Sequence, residues 1–347
     1  MKISIIIPCY QEIKYIEECL KSVVESDFDF QGTNSEILVV DGMSDDGTRD
    51  LIKKFEEKYP FIKMVDNVET FQVFGLNIAI KRAKGDLIIR LDAHCEFPEN
   101  YFSELVKYHK ENDVSNVGGC VDTFPGSETK TAHAISAAMT HFFGMGNSSF
   151  RISKNGQAKE VDTVPFGCWK RKVFDDVGFF DEVFIRHQDY EHNFRIKKNG
   201  GNIVLLPWVR IKYYARESWR KAFKMFFQYG YWKNVFYRKH KTIPTLRQLI
   251  PVTFVLSFLL SGLASLFFKP ALILFLLILF LYLVPLLSFS FLLSNKNKKY
   301  GIKLFFYNVV SFIIIHFSYG LGTIRGFWDV FILRKKVFDK SLRKATR

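Results

Sequence analysis

Apolar residues fall in two regimes along the chain: short runs broken by charge up to about residue 245, then long runs with almost no charge. Ile3 to Cys9, Glu36 to Asp41, Ile62 to Asp66 and Leu87 to Asp92 are short runs of Ile, Val and Leu, the pattern of strands covered on both faces. Between them, Tyr15 to Glu25 sets Ile16, Leu20 and Val23 on one helical face, and further helices are predicted near Arg49 to Lys58 and Phe74 to Arg82. The turn-rich loop Gly42 to Thr48 caps the second of these. Strand alternating with helix predicts an α/β fold with a mostly parallel central sheet and flanking helices.

The second regime begins with Val252 to Phe268 and Ala271 to Leu293, neither holding a charge, and continues with Leu304 to Ile324, where His316 is the one basic side chain and there is no acid. Runs of this length match a hydrocarbon core about 30 Å thick. Lys269-Pro270 joins the first two into a tight helical hairpin with basic flanks on one side. The third run leaves a choice between a full span and a re-entrant course helped by Gly320, Gly322 and Gly326. Before them, Trp219, Phe223, Phe226 and Gly230 recur at helical spacing among cations, predicting an interfacial amphipathic helix. Expected domains are therefore 1–217 catalytic, 218–245 interfacial, and 246–347 membrane-embedded, with two or three spans and a basic tail from Arg334.

Charge refines this picture. The net charge of +14 fits nucleic acid or anionic lipid, but the cations crowd at the flanks of the apolar runs, at Arg238 to Lys241, Lys296 to Lys303 and Arg334 to Lys336. That distribution favours membrane lipids and no nucleic acid. The five cysteines, Cys9, Cys19, Cys95, Cys120 and Cys168, show no Cys-x-x-Cys spacing, so free thiols in a reducing compartment are expected. The N-terminal apolar run is too short for a secretory signal, which predicts a catalytic half on the cytoplasmic face of a multi-pass membrane protein.

Candidate chemistry gathers at the ends of the predicted strands. In extended chain, Asp92 and His94 point to the same side and reach one divalent cation, Mn²⁺ somewhat better than Mg²⁺. The plain alternative is a solvated strand end. In open parallel sheets, however, ligands bind beyond the carboxyl ends of the strands, and Pro8-Cys9-Tyr10, Asp41 and Asp92-Ala93-His94 share that edge.

Four stretches, Ser4 to Glu12, Glu36 to Thr48, Gly75-Leu76-Asn77, and Ala83 to Asp86 leading into Asp92-Ala93-His94, resemble in order and spacing the inverting nucleotide-sugar glycosyltransferases of family 2 with a GT-A fold. The resemblance covers about residues 1 to 240 and is closest in look to membrane-bound bacterial exopolysaccharide enzymes of the succinoglycan type. It implies that Asp41 accepts from the base, that Pro8, Tyr10 and Glu12 wall the nucleoside pocket, and that Asp92 with His94 holds a cation on the diphosphate. Many relatives carry Asp where this chain has His94, leaving Mn or Mg open. His187-Gln188-Asp189-Tyr190-Glu191 is similar to the family's Glu-Asp-x-Glu element, with Gln188 in place of the first acid and Asp189 as the implied general base. An N-cap is the alternative for Asp189, and a helix-surface pair is expected for Glu191 with Arg195. Phe166-Gly167 and Trp169 are expected to meet the acceptor, with plain core as the alternative for Trp169.

The implied reaction is inverting transfer from a nucleotide-diphosphate sugar to a polyprenyl-diphosphate-linked saccharide. The alternatives are a processive polysaccharide synthase and a non-catalytic, membrane-tethered nucleotide-sugar-binding protein. Gln228 to Trp232 differs from the Gln-x-x-Arg-Trp element of processive synthases, lacking the Arg and carrying an extra residue before Trp.

Overall fold

The computed structural model describes residues 1–146, 149–152, 156–243 and 246–335. Taken in chain order, the elements are β1 (Ile3–Cys9), α1 (Ile16–Val24), β2 (Glu36–Asp41), α2 (Thr48–Lys58), β3 (Ile62–Asp66), α3 (Gln72–Arg82), β4 (Leu87–Arg90), β5 (Cys95–Glu96), α4 (Tyr101–Glu111) and β6 (Asn116–Phe124). There follow α5 (Lys130–Thr140), α6 (Phe142–Met145), α7 (Ser149–Ile152), β7 (Lys159–Glu160), β8 (Cys168–Lys170), α8 (Lys172–Val177), α9 (Gln188–Lys198) and β9 (Ile203–Tyr214). The helices α10 (Trp219–His240), α11 (Ile250–Ala264), α12 (Lys269–Lys296) and α13 (Phe305–Phe327) complete the chain. It divides into two compact units, one formed by Met1–Asp122 with Ser149–Tyr214 and the other by Thr123–Ser148 with Ala215–Arg347.

The first unit is built on one sheet with the order β3-β2-β1-β4-β8-β6-β9-β5, and β7 pairs with β9. β3, β2, β1 and β4 run parallel, with β1 and β2 the most continuously apolar and β3 an edge strand that exposes Lys63 and Asp66, whereas β8 runs antiparallel to both β4 and β6. All seven residues of β1 are buried, and the core continues through Val39, Ile88, Tyr101, Phe102 and Trp169. β4 ends at Arg90, so Asp92 and His94 lie in the turn between β4 and β5 and not on an extended strand. Pleat alternation therefore does not set where these two side chains point; the turn does. Gln11, Met43, Thr70, Phe166 and His187 all take left-handed backbone in loops of this unit (φ 58, 62, 61, 49 and 64°). Such strain costs about 1–3 kcal/mol per residue and collects where loops must aim side chains at a site.

In the second unit, α13 is one continuous helix through Gly320, Gly322 and Gly326, so of the courses the sequence leaves open, the one with a break at these glycines is not adopted. Those glycines instead let helices touch. A Cβ on Gly322 would stand 2.0 Å from the Phe227 carbonyl oxygen of α10, and one on Gly230 would stand 2.0 Å from that of Tyr319. α10 is accordingly not a helix lying free at an interface: Phe226, Gly230, Trp232 and Phe236 are buried, and its apolar face packs on α13. Helix α12 is the opposite case, with Ile273, Leu277, Phe280 and Leu281 more than half exposed. Lys269–Lys296 and Gly301–Ile332 are long and apolar enough to cross a membrane, while Ile250–Ala264 is shorter. Apolar side chains on every face of α12 suit lipid and not water. The basic tail expected from Arg334 lies, beyond Lys335, outside the described residues.

Candidate active site

The site lies at the carboxyl edge of the parallel strands, within the first unit. Arg90, the last residue of β4, is 4 % exposed, and it is an ion in an otherwise apolar strand. Burial of a guanidinium demands a partner. That partner is Asp92, whose Oδ1 accepts from Arg90 Nη2 at 2.9 Å and Nε at 3.2 Å. Burial pulls the Arg90 pKa down, but the carboxylates of Asp92 and Asp189 outweigh it and hold it above the ordinary arginine value. Two acidic groups, one from the β4–β5 turn and one from the first turn of α9, thus act on one buried cation. Nη1 of Arg90 has no hydrogen-bond partner.

Asp92 Oδ1 also accepts from Gln72 Nε2 at 3.1 Å, and Gln188 Nε2 donates to Gln72 Oε1 at 2.6 Å. The first residue of α3 therefore bridges Asp92 to the first residue of α9. His187, in left-handed backbone, is the residue that starts α9, so Asp189 sits inside the first helical turn and is not the cap. Asp189 is partly buried, with Oδ1 accepting from the Tyr190 amide at 2.8 Å.

His94 Nδ1 faces Glu12 Oε1 at 3.2 Å, and its ring lies edge-on to Tyr15 and Tyr213. A carboxylate behind Nδ1 fixes the tautomer and leaves Nε2 as an acceptor, which is how a metal-binding imidazole is held. Among the described residues Asp92 Oδ2 has no hydrogen-bond partner. Among the described residues no three or more His, Cys, Asp or Glu side chains gather as a ready-made cage. The donor set fits an ion held by two protein groups and completed by phosphate oxygens and water, as suits Mn²⁺ or Mg²⁺.

Asp41 is fully buried at the end of β2. Its Oδ1 accepts from Ser44 Oγ at 2.6 Å, and its Oδ2 accepts from the Ser44 amide at 2.9 Å and from Arg49 Nη1 at 2.8 Å. Arg49 also reaches Asp66 at 2.8 Å, so the carboxylate is clamped by protein groups. Pro8 is buried in β1, and Tyr10, 46 % exposed, covers Gly42.

The expected aromatic platform does not form. Trp169 is 1 % exposed and packs edge-on against Phe174, Phe180 and His192, so neither ring face is open to a sugar. The Phe166 side chain is 6 % exposed, leaving the backbone of the Phe166-Gly167 turn as what this segment can offer; the Gly167 carbonyl accepts from the Arg90 amide at 3.0 Å. Glu191 and Arg195 are paired as expected, but Glu191 is fully buried and Arg195 also holds the carbonyls of Val177 and Phe179, so the pair ties a loop to α9. Sequence reasoning passed over Arg90 and Gln72. An arginine inside the apolar run Leu87 to Leu91 was the available signal for the first; nothing marked the second. All five cysteines are free and buried, and burial pushes the Cys9 and Cys19 thiols up, so neither is a nucleophile.

A half-parallel sheet flanked by helices, with carboxylates at the carboxyl edge of its parallel strands, is the architecture of the GT-A fold. Residues 4–178 match the profile of "Glycosyl transferase family 2", and the chain belongs to that family. It is 34% identical to the dolichyl N-acetyl-α-D-glucosaminyl phosphate 3-β-D-2,3-diacetamido-2,3-dideoxy-β-D-glucuronosyltransferase of Methanococcus voltae, over 68% of this chain and 74% of that one. It is 28% identical to the succinoglycan biosynthesis protein ExoA of Rhizobium meliloti, over 72% and 74%. In fold it is similar to a mannosyltransferase of Pyrobaculum calidifontis solved with GDP-Man and Mn²⁺, with a TM-score of 0.57 at 18% identity over 94% of this chain and 87% of that one.

Proposed function

We propose that the protein transfers a sugar from a nucleotide-diphosphate donor to a lipid-linked saccharide, with inversion at the anomeric carbon, at the cytoplasmic face of the membrane. The observation that carries this reading is the chain of polar contacts at the sheet edge, in which buried Arg90 donates to Asp92 and Gln72 bridges Asp92 to Gln188, the residue before Asp189. It joins the residue suited to the leaving-group side with the residue suited to the acceptor side. In this reading Asp92 Oδ2 and His94 Nε2 would hold a divalent ion, Mn or Mg, which supplies charge neutralisation for the departing diphosphate. Pro8, Tyr10 and Glu12 line the nucleoside, and Asp41 keeps the β2–α2 loop in shape around the base. Asp189, whose Oδ2 has no hydrogen-bond partner among the described residues, takes the proton from the acceptor hydroxyl as that oxygen attacks the anomeric carbon. Attack opposite the leaving group inverts configuration. The backbone at Phe166-Gly167 borders the acceptor. Relatives named for dolichyl-linked and succinoglycan substrates support a lipid-borne acceptor, and the apolar helices support holding the enzyme beside it.

The test uses full-length protein in membranes and a panel of nucleotide sugars. Asp189→Asn should abolish transfer while Mn²⁺–nucleotide binding persists, and Asp92→Asn should lose both. A product whose anomeric configuration is retained by NMR would overturn the mechanism.

A further inference from the structure

Gln188 stands where the family's first acid is usual, and the structure gives it a specific partner. A carboxylate can only accept, so Asp92 Oδ1 requires the NH₂ end of Gln72, 3.1 Å away. That orientation turns Gln72 Oε1 toward Gln188, which must then present its own NH₂, 2.6 Å away. The direction of both hydrogen bonds is thus forced from the Asp92 end. Gln188 is 3 % exposed, and Gln72 begins α3.

We propose that Gln72 and Gln188 are positioning residues: a directional amide relay that occupies Asp92 Oδ1, leaves Oδ2 for the donor's ion, and ties Asp92 to the helix carrying Asp189. This rests on the reading of Asp92 as the donor-side ligand. Its consequence runs against the family pattern. An acid at 188 cannot donate to Gln72 Oε1, so Gln72 must turn over and point its carbonyl at Asp92. The residue usual in relatives should therefore be harmful here.

Mn²⁺ binding in the presence of UDP or GDP, followed by the electron paramagnetic resonance of free Mn²⁺, tests this on the detergent-solubilised full chain. Gln188→Glu, nearly isosteric, and Gln188→Leu should each weaken Mn²⁺–nucleotide binding about tenfold, since neither can donate. Gln72→Leu should do the same. The double variant Gln72→Leu/Gln188→Leu should be no worse than Gln72→Leu alone, because the relay is already broken. Gln188→Glu binding like wild type, or additive losses in the double variant, would overturn the relay. Asp92→Asn separates the two levels. Unchanged binding in that variant removes the donor-side reading itself, whereas lost binding beside intact Gln72 and Gln188 variants removes only the relay.

Discussion

At the scale of single residues, the site is organised by ions and amides that burial forces into fixed pairings. Arg90→Met should leave Asp92 and Asp189 without their shared cation, and removing one partner of a buried pair costs about 3–5 kcal/mol. A fall in thermal midpoint together with loss of sugar transfer is expected, and transfer at the wild-type rate would show that Arg90 only supports packing. The buried histidines make a different prediction. Burial lowers the pKa of His109 to about 4, despite its 3.0 Å contact with the Cys168 carbonyl, and that of His192 to about 3. Both rings are neutral in the fold and gain protons only in the unfolded chain, whose histidines titrate near the ordinary value of 6.5. Unfolding thus takes up protons as pH falls, and stability drops from about pH 6.5 toward pH 4 and 3. His109→Gln, which keeps an amide for the Cys168 carbonyl and has nothing to titrate, should lose less thermal stability than wild type between about pH 7 and pH 5.

At the scale of elements, strand identity followed from apolar runs, but strand length did not. β4 stops at Arg90 because the chain must turn to aim Asp92 and His94, and a run of apolar letters through Leu91 carries no mark of that turn. The helices divide by what covers them. α12 faces outward along most of its length, whereas α10 and α13 share a close contact through Gly230 and Gly322. Any side chain at either glycine must push the helix axes apart. Gly322→Val should lower the thermal midpoint of the solubilised protein by several degrees, at a cost of about 1–3 kcal/mol. A midpoint equal to wild type would mean that the two helices separate freely.

At the scale of the whole molecule, the two units are not consecutive. Thr123–Ser148 leaves the sheet unit and joins the C-terminal helices, where α5 buries Ala134, Ile135, Ala138 and Met139 and packs on α13, and where His316 Nε2 donates to the Phe143 carbonyl at 2.7 Å. A chain ended after Tyr214 therefore keeps α5 but loses its cover. It should aggregate when expressed without detergent, and a monodisperse soluble product would contradict this.

Periodicity and residue type, read from the sequence alone, already determined the α/β class, the parallel strands, the acidic edge with Asp41, Asp92 and His94, and the apolar helices, because each depends on neighbours a few residues away. Only the tertiary structure decided that Trp169 is core, that the Arg90 amide meets the Gly167 carbonyl, and that Gln72 links Asp92 to Gln188. Those facts join residues about a hundred positions apart, and which of many polar side chains meet across such a distance is set by how the sheet and helices pack, a quantity that no local pattern encodes.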